Sequence, residues 1–317
     1  MAQSEGLAGV HSFLLYGVES TFNTAVTTEE HFSATTQNFK GTINNNLTSN
    51  YAFSGTNDYD GRLILNYTPG VLDLAGTVDM KVTNWLWFSE VIGTSDQETS
   101  PIAYSIAAIP GSHTISSNID NPGSGGVDQV GTWSGGVIEN CLIKSSVGEP
   151  VTCNLEYKFA KLIVSTSLNT RVALPSQETF DFAGGSIELP NTTALPNIID
   201  SIELSIKNQW QMIPGHGSRL IQNALPKGLQ ISMKLTLKYL SNDLITAALG
   251  ATTPTDTGGP TEYATLELTY VKGADSMVIL ITGVPIGEFA QMHELQSVIG
   301  EDLTFTGKNL TAIETFT

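Results

Sequence analysis

Five histidines (His11, His31, His113, His216 and His293) and two cysteines (Cys141 and Cys153) are the side chains best suited to metal or nucleophilic chemistry in this sequence. A catalytic or structural metal needs three or four of them at short, regular spacing. No HxxxH, HxH or CxxC occurs, so these residue types are present without the pattern that would unite them. The cysteines read as small buried side chains, with a disulfide open but not indicated. Residues 214–219, PGHGSR, place His, Ser and Arg in a glycine-rich stretch that could cradle an anion. It is neither a GxSxG elbow nor a GxxxxGK[ST] loop, and the plainer reading is a turn between two strands. Residues 120–129, DNPGSGGVDQ, hold carboxylates without the regular spacing of a calcium loop. Nothing here marks an enzyme, a cofactor or a resident metal.

Charge sets the next bound. Fourteen Lys and Arg stand against 31 Asp and Glu, a net charge of −17. Gripping nucleic acid through its phosphates requires clustered cations, so such binding is not expected. Only 14% of residues are charged, while 40% are hydrophobic. Serine, threonine, asparagine and glycine fill the remainder, the mix of a β-rich protein with an uncharged polar surface. No apolar run approaches the ~18 residues of a membrane span. The first residues lack a basic region ahead of their apolar stretch and do not read as a secretory signal.

The elements that would position any site are written twice. Residues 69–93, PGVLDLAGTVDMKVTNWLWFSEVIG, align without a gap on 226–250, PKGLQISMKLTLKYLSNDLITAALG. Leu72, Leu74, Gly76, Val78, Met80 and Val82 alternate with mostly polar residues, as do Leu229, Ile231, Met233, Leu235, Leu237 and Tyr239. Such alternation predicts a long strand with one buried face. A short helix should follow each, capped near Thr83-Asn84 or Ser241-Asn242-Asp243 and stopped at Gly93 or Gly250. Upstream, 41–46 matches 204–209; downstream, 147–152 matches 299–304, and 155–164 answers 305–313.

The expected fold class is mainly β with short helices, in two tandem domains related by internal duplication. Residues 1–35 read as a strand and arm, and 36–166 as the first domain. A loop-rich insertion at 94–131 interrupts that domain, 167–198 is the connector, and 199–317 is the second domain. Lys272-Gly-Ala-Asp275 reads as a hairpin turn and 287–300 as a helix.

Four segments then carry a resemblance: YGVESTFNTA (16–25), SIELSIKNQWQMIPGHGSR (201–219), GLQISMKLTLKYLSNDLITAALG (228–250) and GVPIGEFAQMHELQSVIGEDLTFTGK (283–308). Together they resemble the tail tube proteins of long-tailed viruses, in the version with a duplicated tube domain. The first copy departs in lacking a match to PGHGSR. The resemblance implies that both domains are tail-tube-type β-sandwiches, in a structural protein of the virion tail made in the host cytoplasm. Its inner sheets would join side by side into closed rings, and the rings would stack into a tube that conducts DNA without specific binding. Its partners would be copies of itself and other tail proteins, with no membrane. Duplication favours three chains per ring over six. The channel is expected to be net negative, with Asp73, Asp79, Glu203 and Glu267 as lumen-facing candidates. Lys234 and Lys238 run against that sign. The competing reading is a secreted or surface β-sandwich, an adhesin or carbohydrate-binding module, with similar composition.

Overall fold

The computed structural model describes residues 12–26, 30–31, 36–51, 64–95, 100–120, 127–170, 178–188, 199–238, 246, 248–251, 259–260, 262–292 and 300–316. Alternating apolar residues produce strands almost throughout. In chain order they begin β1 (Ser12–Glu19), β2 (Glu30–His31), β3 (Thr36–Asn44), β4 (Thr48–Tyr51), β5 (Ile64–Thr68) and β6 (Asp73–Lys81). A short helix, α1 (Phe88–Ile92), precedes β7 (Gly93–Ser95), β8 (Ile102–Ile106) and β9 (Ser112–Ile119). Next come β10 (Gln129–Ser146), β11 (Thr152–Phe159), β12 (Lys161–Ser165) and β13 (Gly185–Glu188). The chain closes with β14 (Ile199–Pro214), β15 (Ile221–Lys238), β16 (Glu262–Lys272), β17 (Asp275–Met292), β18 (Gly300–Gly307) and β19 (Asn309–Thr315).

These strands make one large antiparallel sheet in the order β3-β6-β11-β10-β14-β15-β18-β17. Two smaller sheets cover its apolar face. One runs β2-β1-β9-β10-β12 and the other β13-β16-β17-β19-β8-β7. Strands β10 and β17 each pass from a smaller sheet into the large one. The turn into the large sheet falls at Gly135 (φ 63°) and Gly283 (φ 64°), a left-handed conformation that glycine adopts without a Cβ penalty. A single core fills the space between the layers. In it Trp85, beside α1, stacks on Tyr270 of β16 with ring centroids 5.6 Å apart and meets Phe180 at 5.7 Å.

The pairing scheme of the large-sheet strands β14, β15, β18 and β17 follows that of β3, β6, β11 and β10. In the aligned block, Gly76 corresponds to Met233. Gly41 pairs with Gly76 as Leu204 pairs with Met233, so 41 and 204 hold equivalent places in the pairing. Val78 pairs with Leu155 as Leu235 pairs with Leu303. That equates Leu155 with Leu303 and replaces the sequence matches of 147–152 with 299–304 and of 155–164 with 305–313. The irregularity in β10 between Ile138 and Asn140 recurs in β17 between Ile286 and Glu288. The amide of Ala160 donates to the Ser134 carbonyl (3.0 Å) as that of Lys308 donates to Thr282 (2.9 Å). Hairpin β4–β5 occupies the place of the outer half of β14–β15, down to the irregularities at Asn50/Tyr51 and Ile213/Pro214. The gap-free alignment therefore extends upstream, setting Arg62-Leu63-Ile64 against Arg219-Leu220-Ile221. Residues 52–63 lie outside the described ones.

Several expectations are corrected. Residues 94–131 are not loop-rich: they contain β7, β8, β9 and the start of β10, and β9 is an inner strand of its sheet. Strand β9 escaped notice because its buried side chains, Ile115 apart, are polar. Ser112, His113, Thr114, Ser116 and Asn118 are all buried. The connector holds a strand, β13, paired with β16. Residues 287–292, expected to begin a helix, continue β17; 293–299 lie outside the described residues. Helix α1 is not capped by Thr83 or Asn84, since its N-cap is Trp87 with no side-chain cap, but it stops as expected at left-handed Gly93 (φ 107°). Gly250 (φ 77°) follows helical residues 248–249 in the same way. The Lys272–Asp275 hairpin and the turn at 215–220 form where expected, while Tyr239 and residues 241–243 fall outside the described residues.

Candidate functional site

Strict alternation gives the large sheet two unlike faces. In β6, Leu74, Val78 and Met80 turn into the core, and Asp73, Ala75, Thr77, Asp79 and Lys81 turn away from it. Register carries this division across all eight strands. Lys40 pairs with Thr77, and Thr77 with Glu156; Lys81 pairs with Thr152, and Thr152 with Lys144. Lys144 pairs with Glu203, Glu203 with Lys234, and Lys234 with Thr304, which faces Glu288. The result is a broad polar face opposite the core.

Three of the four acidic candidates meet there: Asp73, Asp79 and Glu203. Glu267 does not. It lies in β16 of a smaller sheet, paired with Glu188 and between buried Leu266 and Leu268, so it faces outward from the other layer. Alternation reveals that such a residue is exposed, but not to which sheet it belongs.

The polar face is not an acidic one. Lys40, Lys81, Lys144, Lys158, Lys207, Lys234 and Lys238, most of the lysines in the chain, stand on it beside Asp73, Asp79, Glu156, Glu203, Glu288 and Asp302, with Glu139 at the β10 irregularity and Asp200 within reach of Lys238. Lys144 Nζ lies 2.7 Å from Glu203 Oε1 and Lys234 Nζ 2.9 Å from Asp302 Oδ2. Lys158 reaches Asp73 at 3.5 Å and Lys238 reaches Asp200 at 3.7 Å. Asp79 accepts a hydrogen bond from Asn154 Nδ2 (2.5 Å). The hydrogen bond and charge of Asp302 hold the Lys234 ammonium above its usual range. Partial burial pushes the Asp302 carboxyl up, but hydrogen bonds from Lys234 and Thr236 outweigh it and hold the group below its usual range. The surplus negative charge of the chain is therefore carried elsewhere.

At each end of this sheet a strand edge has no partner among the described residues. One is the outer side of β3, and the other is the stretch of β17 from Ile286 onward, which pairs only with β18. Ile43 on β3 is 54% exposed, although its counterpart Ile206 on β14 is fully buried. In the middle of the sheet β10 and β14 close the corresponding gap, aided by Asn208 Nδ2, which donates to the Val91 carbonyl at the end of α1 (2.8 Å). The turn after β14 reaches the root of the first hairpin. Arg219 Nε donates to the Gly70 carbonyl (3.0 Å) and Nη2 to Asn45 Oδ1 (2.8 Å). The arginine of PGHGSR is thus an intramolecular strut.

The remaining candidates for chemistry are structural. Cys141 and Cys153 are buried free thiols with sulfurs 3.7 Å apart, and burial raises the Cys153 thiol well above its usual range, which leaves it unreactive. His113 Nε2 meets Glu90 Oε2 at 2.5 Å inside the first half. Among the described residues no group of three or more His, Cys, Asp or Glu side chains is placed to hold a metal ion.

Three buried acids escaped the sequence reading: Glu19, Glu301 and Glu314. Glu19, within YGVESTFNTA, accepts from Ser112 Oγ, Thr114 Oγ1 and the amides of Asn23 and Gly135 at 2.7–2.9 Å. It locks the opening strand to β9 and to the turn of β10. Glu314 in β19 accepts from Tyr104 Oη (2.6 Å) and the Trp85 amide (3.0 Å), fastening the last strand to the first half. Burial raises the Glu314 carboxyl above its usual range despite these bonds. The available signal was the alternation itself: Glu19 continues the buried face of Leu15 and Gly17, and Glu314 that of Leu310 and Ala312.

Residues 9–307 match the family model described as phage tail tube protein. No curated protein matches the chain.

Proposed function

The chain belongs to the phage tail tube protein family, a structural component of the virion tail, and from that premise we propose that it closes into stacked rings whose inner wall is the eight-stranded sheet. The carrying observation is the strand order of that sheet. Two four-strand blocks, β3-β6-β11-β10 and β14-β15-β18-β17, follow one another with an open edge at either end. Joining edge to edge removes both open edges by closure. Three chains would build a barrel of ~24 strands, which at ~4.8 Å spacing and ~40° tilt is roughly 48 Å across at the backbone. The matched registers and the paired glycines support reading the two blocks as copies of one ancestral domain, opened by β1 and by β13. That reading extends the first domain back into 1–35 and the second into 167–198.

The polar face would line the bore through which DNA passes at ejection. Its charge is far smaller than that of the net negative channel expected from overall charge. Lysines and carboxylates are nearly balanced, and several lysines are already paired. A phosphate backbone gains little by replacing those partners, because affinity for DNA comes from free protein cations that displace its condensed counterions. Near-neutral and internally paired, the wall lets DNA slide.

Electron microscopy of purified protein should reveal rings or tubes on the order of 100 Å wide, the barrel plus an outer layer. Mass measurement of isolated rings should give three chains. Six chains would refute the trimer and leave the ring. Duplex DNA should bind weakly, with little dependence on salt. Tight binding that collapses as salt rises would refute the neutral wall.

A further inference from the structure

The sheet contains its own template for the contact it lacks. At the internal junction Cys141 pairs with Ile206, Asn140 with Lys207 and Leu142 with Ser205. The matched registers place Phe289, Glu288 and Ala290 of β17 where β10 has Cys141, Asn140 and Leu142. They place Ile43, Asn44 and Thr42 of β3 where β14 has Ile206, Lys207 and Ser205. We infer that β17 of one copy pairs antiparallel with β3 of a second copy in a single register: Phe289 opposite Ile43, Glu288 opposite Asn44 and Ala290 opposite Thr42.

Three observations carry this beyond the ring reading on which it rests. The two edges are the terminal strands of the same sheet, and each has one neighbour among the described residues. The side chains that would meet already sort by face. Phe289 and Ile43 fall on the core side, while Glu288, Ala290, Asn44 and Thr42 fall on the polar side. A slip of one residue would reverse that sorting. Exposure also matches. Ile206 and Cys141 are fully buried at the internal junction, while Ile43 is 54% exposed and Glu288, Ala290, Thr42 and Asn44 are all exposed. A second copy seated in this register would cover Ile43 as β10 covers Ile206.

Paired cysteines test the register. Directly opposed residues in an antiparallel pair have Cα atoms ~4.5–5.5 Å apart, within disulfide reach, whereas a two-residue offset does not. The variant Thr42→Cys/Ala290→Cys, assembled and then mildly oxidised, should give covalent multimers ending at the trimer on a denaturing gel. The offset variant Asn44→Cys/Ala290→Cys should stay monomeric on the gel, as should each single variant. Each variant should melt with the unmodified protein. Any link between the native Cys141 and Cys153 stays within one chain and adds no multimer. If rings form but the offset pair links instead, or neither pair links, the register is overturned and the ring reading stands. If the unmodified protein forms no rings, both fail together.

Discussion

Ile206 and Ile43 occupy the same place in the two strand series, yet one is fully buried and the other 54% exposed. The difference is one of neighbours. Ile206 lies against β10 of its own chain, and Ile43 lies on the outermost strand of the sheet. One half of the molecule therefore completes its core by folding, while the other leaves the equivalent surface for assembly. Matched positions in the two halves separate the two kinds of stabilisation, because local backbone and register are held constant.

The widest contrast should come from that pair. Ile206→Asp buries an unpaired charge and should cost more than ~4 kcal/mol, enough to prevent folding. Ile43→Asp should leave the monomer within ~0.5 kcal/mol in denaturant titration while abolishing rings in sedimentation. Equal destabilisation by the two would break the comparison.

The two turn glycines offer a second contrast. Alanine at either pays for a left-handed conformation, about 1 kcal/mol or more. At Gly135 a Cβ would also meet the Ala160 Cβ at 2.6 Å and the Asn23 backbone at 3.3 Å, which have little room to move. At Gly283 it would meet the aliphatic chain of Lys308 at 2.6 Å, which can swing aside. Gly135→Ala should therefore cost about 3 kcal/mol and Gly283→Ala about half that, by urea denaturation.

How far these contrasts could be seen in the sequence depends on the element. The alternation in 73–82 and 229–237 gave both long strands and their buried faces, because one side of each is wholly apolar. Gly93 and Gly250 marked two helix stops through a backbone need that no other residue meets as easily. Strand β9 was missed because Glu19 and Asn169 satisfy its buried hydroxyls, and hydropathy does not register a hydrogen-bonded interior. Asp73, Asp79 and Glu203 were found as exposed acids, but the lysines opposite them come from other strands and only register brings them together. Glu267 had the same local pattern and belongs to the other layer.

A third contrast is smaller. Asn208 is buried and its amide holds the Val91 carbonyl across the internal junction, while its counterpart Asn45 is exposed and accepts from Arg219. Asn208→Ala should cost ~1–2 kcal/mol in chemical denaturation, and Asn45→Ala less than ~0.5 kcal/mol.

The finest contrast is between the edge of β19, which β8 covers, and the edge of β12, where no strand pairs among the described residues. Glu314 is buried on the covered edge, and Thr166 holds the matching position exposed. Because burial raises the Glu314 carboxyl, the folded state binds its proton more tightly than the unfolded chain does. Stability should therefore fall as pH rises from the usual glutamate value toward the raised one, by at most ~1.4 kcal/mol per pH unit from this group. Glu314→Gln should flatten that slope in denaturation curves collected across the window, and Thr166→Ala should leave it unchanged. An unaltered slope in Glu314→Gln would remove Glu314 as its source.

Strands β10 and β17 are each 18 residues long and cross from one layer to the other without a break. At ~3.4 Å per residue, each is about 60 Å of continuous covalent backbone. A twist or pull on the outer sheets reaches the inner one through bonds rather than through sliding side chains. Two layers ~10 Å apart and tied in this way behave as the flanges of a beam, resisting flexure far better than either would alone.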